Sequence, residues 1–137
     1  MKLVADANVL LSAVLGGRAK HILTHPQVEE VVAAETALAE VQEYAAELAR
    51  EKRLALDTVL LTVAALPVRV VERADYANGM REATRRIGKR DPDDIDTLAL
   101  ALCLCWPVWS NDNDFEGTDV EWYTTAELLR RLAPIEG

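Results

Sequence analysis

Short apolar runs alternate with helical stretches along the whole chain, and this alternation limits the folds that the chain can adopt. The apolar runs indicate buried strands at residues 2–6, 28–33, 68–71, 108–110 and 120–123. Strands that alternate with helices form parallel sheets whose two faces are both covered. The sequence therefore predicts an α/β fold, a three-layer sandwich with a central parallel sheet of about five strands.

The segments between the predicted strands show helical spacing. In residues 36–53, apolar side chains recur every three or four residues and an acidic stripe lies beside them. The other predicted helices cover residues 8–15, 20–23, 56–66, 75–87 and 124–132, and one more opens at Asp91-Pro92 and runs through residue 104. The length of 137 residues fits a single domain, residues 1–137.

The composition is that of an acidic globular domain. Lys and Arg number 15 against 23 Asp and Glu, a net charge of −8 that argues against a protein that coats nucleic acid non-specifically. Asp6 and Asn8 interrupt the N-terminal apolar stretch, and no window of about 18 apolar residues is present, so we expect no signal peptide, no membrane segment and a cytoplasmic location. Cys103 and Cys105 are two residues apart, and we expect them to be reduced core thiols.

Acidic residues lie where ligands bind in parallel sheets, just beyond the carboxyl ends of the strands. They are Asp6, Glu40, Asp94 and Asp112. Each has a structural alternative when it is taken alone. Asp6 and Asp94 can cap helices, Glu40 can belong to a solvated acidic stripe, and Asp112 can belong to an Asx-rich turn.

Taken together, four acids at one sheet edge require neutralisation, because like charges at short range repel strongly. Carboxylate oxygens suit hard divalent cations such as Mg²⁺ or Mn²⁺. A pair of such ions can activate water and stabilise the leaving oxygen of a phosphodiester. The pattern therefore favours metal-assisted phosphodiester hydrolysis.

The sequence resembles the PIN domain nucleases, a family that includes the RNA-cleaving toxins of toxin–antitoxin pairs. The resemblance rests on the blocks VADANVL (4–10), LAEV (38–41), DPDDIDTLALAL (91–102) and WSNDNDF (109–115). It implies that Asp6, Glu40, Asp94 and Asp112 bind metal, with Ser110 and Asn8 as polar neighbours and Asp96 and Asp114 as accessory acids. It also implies a sheet of flavodoxin-like order, RNA as substrate, and an antitoxin protein as a partner.

A basic cluster precedes Asp94, and its residues are Arg81, Arg85, Arg86, Lys89 and Arg90. Phosphate backbones are bound chiefly through Lys and Arg, so this cluster is a candidate for RNA binding, and a solvated basic face is the alternative. Leu128, Leu129 and Leu132 form an apolar face on the predicted terminal helix, which favours a homodimer.

Other kinds of site fit the sequence less well. His21 and His25 lack further zinc ligands, the loop from Asp112 lacks the glutamate of a calcium loop, and the Asp94–Thr97 segment opens a helix rather than ending a strand. The sequence thus predicts a Mg²⁺- or Mn²⁺-dependent endoribonuclease. The alternatives are a PIN-like module that binds RNA or protein without cleavage, and a receiver-like phosphoacceptor domain.

Overall fold

A computed structural model describes residues 1–134 and has a parallel five-stranded sheet at its centre. The strands are β1 (Lys2–Ala5), β2 (Glu30–Ala34), β3 (Arg69–Val71), β4 (Val108–Trp109) and β5 (Trp122–Tyr123). β1 lies in the middle, where Leu3 pairs with Val31 of β2 and Val4 pairs with Val108 of β4. The predicted number and direction of the strands are confirmed.

Helices fill the connections between the strands and follow the last of them. They are α1 (Ala7–Val14), α2 (Ala19–Leu23), α3 (Glu35–Glu51), α4 (Leu56–Ala64), α5 (Arg73–Tyr76), α6 (Met80–Ile87), α7 (Ile95–Leu104) and α8 (Thr125–Arg131). Short 3-10 turns at Ala77–Gly79 and Pro92–Asp94 precede α6 and α7. None of the helices that the structure describes has the length and apolarity needed to span a membrane.

The sheet divides the core into two layers, because successive side chains of a strand point to opposite faces. Leu3 and Ala5 of β1 pack in the layer formed by α1, α2, α3 and α8. Val4 of the same strand packs in the layer formed by α6 and α7. The three-layer sandwich is confirmed.

The strand order differs from the flavodoxin-like order that the resemblance implied. The observed order is 3-2-1-4-5, whereas the flavodoxin order is 2-1-3-4-5. Right-handed crossovers explain the difference, because α1 and α3 pack against each other on one face of the sheet. The strands β1, β2 and β3 therefore progress in one direction, and the chain reverses only after β3.

The predicted helix 75–87 is broken in the structure. A 3-10 turn at Ala77–Gly79 separates α5 from α6. A Cβ atom on Gly79 would lie 2.4 Å from the carbonyl oxygen of Ala99 in α7, so only glycine permits this close approach. The amphipathic spacing of the segment does not reveal this contact.

Two expectations about burial are wrong. Cys103 and Cys105 are exposed, because the buried face of α7 is formed by residues 96–101 and both cysteines lie beyond it. Leu128 and Leu132 are buried in the core of their own chain, and Leu129 is partly buried and packs against the same core, so the predicted apolar face is mostly covered. The basis for the predicted homodimer is therefore lost.

Candidate functional site

A cleft opens at the carboxyl edge of the sheet, beside the central strand β1. This is the point where the chain reverses direction across the sheet and where α/β sheets bind ligands. The cleft has a volume of about 260 Å³. It is lined by Asp6, Ala7, Asn8, Leu11, Glu40, Val41, Tyr44, Asp94 and Asp112. All four acids singled out in the sequence therefore lie on one cleft.

Asp6 is the most buried of these acids and is 6% exposed. Its Oδ1 accepts a hydrogen bond from the Ala7 backbone N–H at 2.9 Å, so Asp6 caps α1. Its Oδ2 accepts hydrogen bonds from Ser110 Oγ at 3.0 Å and from Asn8 Nδ2 at 3.1 Å. Oδ1 caps the helix, whereas Oδ2 bonds to the polar neighbours Asn8 and Ser110. Asp6 can therefore be a helix cap and a residue of the site at the same time.

Asn8 joins the end of β1 to the segment that follows β4. Its Nδ2 lies 3.0 Å from Ser110 Oγ and 3.0 Å from Asp112 Oδ2, and its Oδ1 accepts from the Asn111 N–H at 3.1 Å. The Asp112 N–H in turn donates to Ser110 Oγ at 3.2 Å. These hydrogen bonds hold Asp112 next to Asp6, although the two lie far apart in the sequence.

Glu40 reaches the cleft from the second turn of α3. The buried face of this helix includes Ala37 and Val41, which places Glu40 at the border between the core and solvent. Tyr44 lies one helical turn further on, lines the same cleft and is half exposed. The sequence analysis missed Tyr44, although the four-residue spacing from Glu40 would have placed it on the same helix face.

Asp94 lies at the end of the Pro92–Asp94 turn, at the position that precedes α7. Neither Asp94 nor Asp91 makes a side-chain capping hydrogen bond. Burial, followed by the charges of Asp6 and Asp114, raises the pKa of Asp94 to about 8. The capping alternative is thus not seen for Asp94, and its carboxyl group faces other acids.

A cluster of three half-buried acids adjoins the cleft at Asp94. Carboxylate oxygens of Asp91, Asp94 and Asp114 lie within 4.8 Å of one another. The sequence analysis named Asp114 as an accessory acid but treated Asp91 only as the residue at which a helix opens. The acid-rich block at 91–96 was the available signal for Asp91.

Asp96 does not line the cleft that holds the four acids. Its carboxylate accepts a hydrogen bond from Tyr76 Oη at 2.5 Å and pairs with Arg73 Nε at 3.3 Å. The side chain is nearly buried, and it borders a neighbouring depression together with Glu40 and Glu43. The structure therefore places Asp96 in an internal ion pair between α5 and α7.

The five basic residues of the predicted RNA-binding cluster have different surroundings. Arg85 and Arg86 both pair with Glu82 and lower its pKa to about 2. Arg90 pairs with Asp91 at 2.8 Å. Within residues 1–134, Arg81 and Lys89 are exposed and make no ion pair.

The electrostatics of the cleft suit a divalent cation. Burial raises the pKa of Asp6, although its hydrogen bonds from Ser110 and Ala7 act in the opposite direction. Burial and then the charge of Asp6 raise the pKa of Glu40. A hard cation would offset both the mutual repulsion and the loss of hydration, and carboxylates are ligands that Mg²⁺ and Mn²⁺ accept. The donor set therefore fits such an ion.

Comparisons with known proteins agree with this fold. A search of the curated proteins finds no match. One solved structure that is similar to the chain is VapBC2 from Rickettsia felis bound to a promoter DNA fragment. The two chains are 11% identical, the match covers 90% of this chain and 98% of the VapBC2 chain, and the TM-score is 0.68. VapBC-1 from nontypeable Haemophilus influenzae has 14% identity, coverage of 92% and 99%, and a TM-score of 0.66.

A third similar structure is VapC20 from Mycobacterium tuberculosis, described as a toxin that cleaves the sarcin-ricin loop. It has 16% identity, coverage of 86% and 95%, and a TM-score of 0.62. At these identities the likeness concerns the fold alone. The model of the PIN domain family, however, matches residues 4–133, which is almost the whole sequence. The chain therefore belongs to the PIN domain family.

Proposed function

We propose that this protein is a Mg²⁺- or Mn²⁺-dependent endoribonuclease. The observation that carries the proposal is the convergence of Asp6, Glu40, Asp94 and Asp112 on one cleft. Like charges at such a site destabilise the metal-free protein, so a function that uses a cation accounts for their presence. Membership of the PIN domain family supports the same activity.

The four acids would hold the metal, and their neighbours would fix the ligand geometry. A divalent cation supplies Lewis acidity, which activates water and stabilises charge on a phosphodiester. Ser110 and Asn8 both donate to Oδ2 of Asp6, and Asn8 also contacts Asp112, so they orient two of the four carboxylates. Asp114 and Asp91 lie beside Asp94 and would act as accessory acids.

RNA is the substrate class that we propose. The net charge of −8 disfavours a general affinity for nucleic acid, so binding would depend on local cations near the cleft. Arg81 and Lys89 are both exposed, and Lys89 lies two residues before Asp91, at the start of the acid-rich block. VapC20, which shares this fold, is described as a toxin that cleaves the sarcin-ricin loop.

We also propose an antitoxin protein as a partner, as in the VapBC complexes that share this fold. Exposed apolar side chains beside the cleft support a protein partner. Leu11, which lines the cleft, also borders a second pocket of about 220 Å³ with Leu15, Leu48 and Leu54. Leu61 of α4 is 69% exposed nearby. A homodimer stays a prediction, and size-exclusion chromatography with light scattering would test it.

A receiver-like phosphoacceptor is disfavoured by the topology of the sheet. Receiver domains have the 2-1-3-4-5 order of flavodoxin, and this sheet has the order 3-2-1-4-5. A PIN-like module that binds RNA without cleavage would retain the fold, so only an activity measurement separates it from a nuclease.

The decisive experiment is incubation of the purified protein with a mixed RNA pool in Mn²⁺, Mg²⁺ or EDTA, followed by sequencing of the new ends. We expect cleavage with metal, none in EDTA, and none by Asp94→Asn. The matched control is Asp57→Asn, because Asp57 lies on α4, is exposed and does not line the cleft. RNA retention without cleavage by the metal-loaded protein would instead favour the non-catalytic module.

A further inference from the structure

The loop of residues 111–119, which follows β4, carries two of the acids near the cleft, Asp112 and Asp114. Like all acids held together, they need support from the rest of the chain to keep their positions. Two residues anchor the loop from inside, because Phe115 and Thr118 are almost completely buried. Phe115 packs in the same layer as α6 and α7.

Arg86, in the last turn of α6, is hydrogen-bonded to the C-terminal end of this loop. Its Nη1 donates to the carbonyl oxygen of Thr118 at 2.6 Å, and its Nε donates to Glu82 Oε1 at 2.8 Å. The side chain is only 25% exposed. Arg86 therefore donates one hydrogen bond to an acid of its own helix and one to the backbone of loop 111–119.

Arg90, four residues further on, is hydrogen-bonded to the middle of the loop, at Asp114 and Glu116. Its Nη2 donates to the carbonyl oxygens of Asp114 and Glu116, the latter at 3.2 Å. Its Nε donates to Asp91 Oδ2 at 2.8 Å. Arg90 thus joins the two segments, around Asp91 and around Asp114, whose carboxylates form the cluster of Asp91, Asp94 and Asp114.

We infer that Arg86 and Arg90 are positioning residues, which hold loop 111–119 and its acids against the metal site rather than contacting RNA. In both residues the guanidinium fork is oriented by loop carbonyls on one side and by a carboxylate, Glu82 or Asp91, on the other. A donor that binds a backbone carbonyl is not available to a phosphate. The inference rests on the proposed function for the role of the acids. It separates these two arginines from the rest of the basic cluster.

Arg85 offers a matched control for Arg86. The two residues are adjacent, have the same charge and pair with the same Glu82. Among residues 1–134, Arg85 makes no hydrogen bond to loop 111–119, since its recorded side-chain partner is Glu82. Comparison of Arg86→Gln with Arg85→Gln therefore removes the same charge with and without the contact to the loop.

Hydrogen exchange measured by mass spectrometry tests the contact itself and needs no substrate. We expect amides of loop 111–119 to exchange about tenfold faster in Arg86→Gln, as expected for loss of a hydrogen bond from a charged donor. We expect wild-type exchange in Arg85→Gln, unchanged exchange in β1 of both variants, and partial restoration in Arg86→Lys, whose ammonium keeps the positive charge but lacks the guanidinium fork. Equal exchange in the loop of Arg86→Gln and Arg85→Gln would overturn the inference.

Metal and RNA measurements test the effect on the site. We expect Arg86→Gln to raise the Mn²⁺ concentration at the midpoint of thermal stabilisation by about three- to tenfold, and to lower kcat with little change in the salt dependence of KM. Arg85→Gln should leave the Mn²⁺ midpoint unchanged. An unchanged or lower midpoint for Arg86→Gln would refute positioning. A loss confined to KM and its salt dependence would also refute it and would make Arg86 an RNA contact.

Failure of the two proposals can be distinguished. If the wild-type protein cleaves no RNA but Arg86→Gln changes loop exchange and the Mn²⁺ midpoint, the positioning role stands and the ribonuclease proposal fails. If the wild-type protein cleaves RNA and Arg86→Gln behaves like Arg85→Gln in every measurement, the positioning role fails and the ribonuclease proposal stands.

Discussion

Replacement of Asp94 by asparagine should stabilise the metal-free protein at high pH. Burial and the charges of Asp6 and Asp114 raise the pKa of Asp94 to about 8 in the folded state, whereas its ordinary value is 3.8. The folded state therefore holds this proton more tightly than the unfolded state does. Stability is greatest below the unfolded pKa and falls as pH rises from about 4 to about 8. An asparagine does not titrate and escapes this loss.

The size of the effect follows from the pKa. A full shift from 3.8 to about 8 corresponds to roughly 6 kcal/mol at 1.36 kcal/mol per pH unit. Asp94 is half-buried, so solvent screening reduces the expected contribution to about 1–2 kcal/mol. For a domain of this size, that is a rise in Tm of about 3–8 °C. Asp94 makes no side-chain capping hydrogen bond, so the substitution removes no cap.

Thermal unfolding in EDTA at pH 5 and pH 8 measures this effect. We expect Asp94→Asn to melt above the wild type at pH 8, and the difference to shrink at pH 5, where Asp94 is protonated in the folded wild type. Mn²⁺ should raise the Tm of the wild type and do little for the variant. Asp57→Asn, at an exposed position of α4 away from the cleft, controls for the change in net charge. A variant that melts below the wild type at both pH values, with no Mn²⁺ effect on the wild type, would refute the reasoning.

Three further predictions concern single contacts. Asp6→Asn should lower Mn²⁺-dependent RNA cleavage by at least about 100-fold, with the fold retained by circular dichroism, because it removes the charge of a buried carboxylate that we propose as a metal ligand. Cleavage at the wild-type rate would contradict this. Tyr76→Phe removes the 2.5 Å hydrogen bond to the Asp96 carboxylate and should lower the free energy of unfolding, measured by chemical denaturation, by about 1–3 kcal/mol. Tyr44 is half exposed, so Tyr44→Phe should leave that free energy almost unchanged. Lys89→Gln should raise KM for RNA and reduce the salt slope by about 1 with kcat unchanged, and an unchanged slope would indicate a merely solvated lysine.

The positions of three of the four acids could be predicted, because the carboxyl ends of parallel strands lie at the same edge of a sheet. Asp6 and Asp112 follow strands whose carboxyl ends meet at one edge, and Asp94 precedes a helix that packs on the same edge. Glu40 was harder to predict, since it belongs to an acidic stripe whose other members are solvated. Its position depends on how far α3 is rotated about its axis, which the buried residues Ala37 and Val41 decide.

The different surroundings of Asp94 and Asp96 follow from helix geometry. Residues two apart on a helix are separated by about 200° around its axis, so they cannot both face one cleft. Asp94 faces the other acids, and Asp96 faces Tyr76 and Arg73. The spacing alone would have separated the two acids. The spacing could not have identified Tyr76 and Arg73 as partners of Asp96, because both lie on α5, which is separated from α6 by the turn that ends at Gly79.

The basic cluster shows why a run of charges in a sequence does not define a binding surface. Arg86 and Arg90 lie four residues apart, which places them on the same side of the chain, and that side faces loop 111–119. The loop has no helix or strand, so its carbonyl oxygens lack the regular partners that backbone groups need. The two arginines supply donors to three of these carbonyls. Their contacts with the loop depend on where the chain returns after β4, between 24 and 32 residues later in the sequence. Local spacing carries no information about that return.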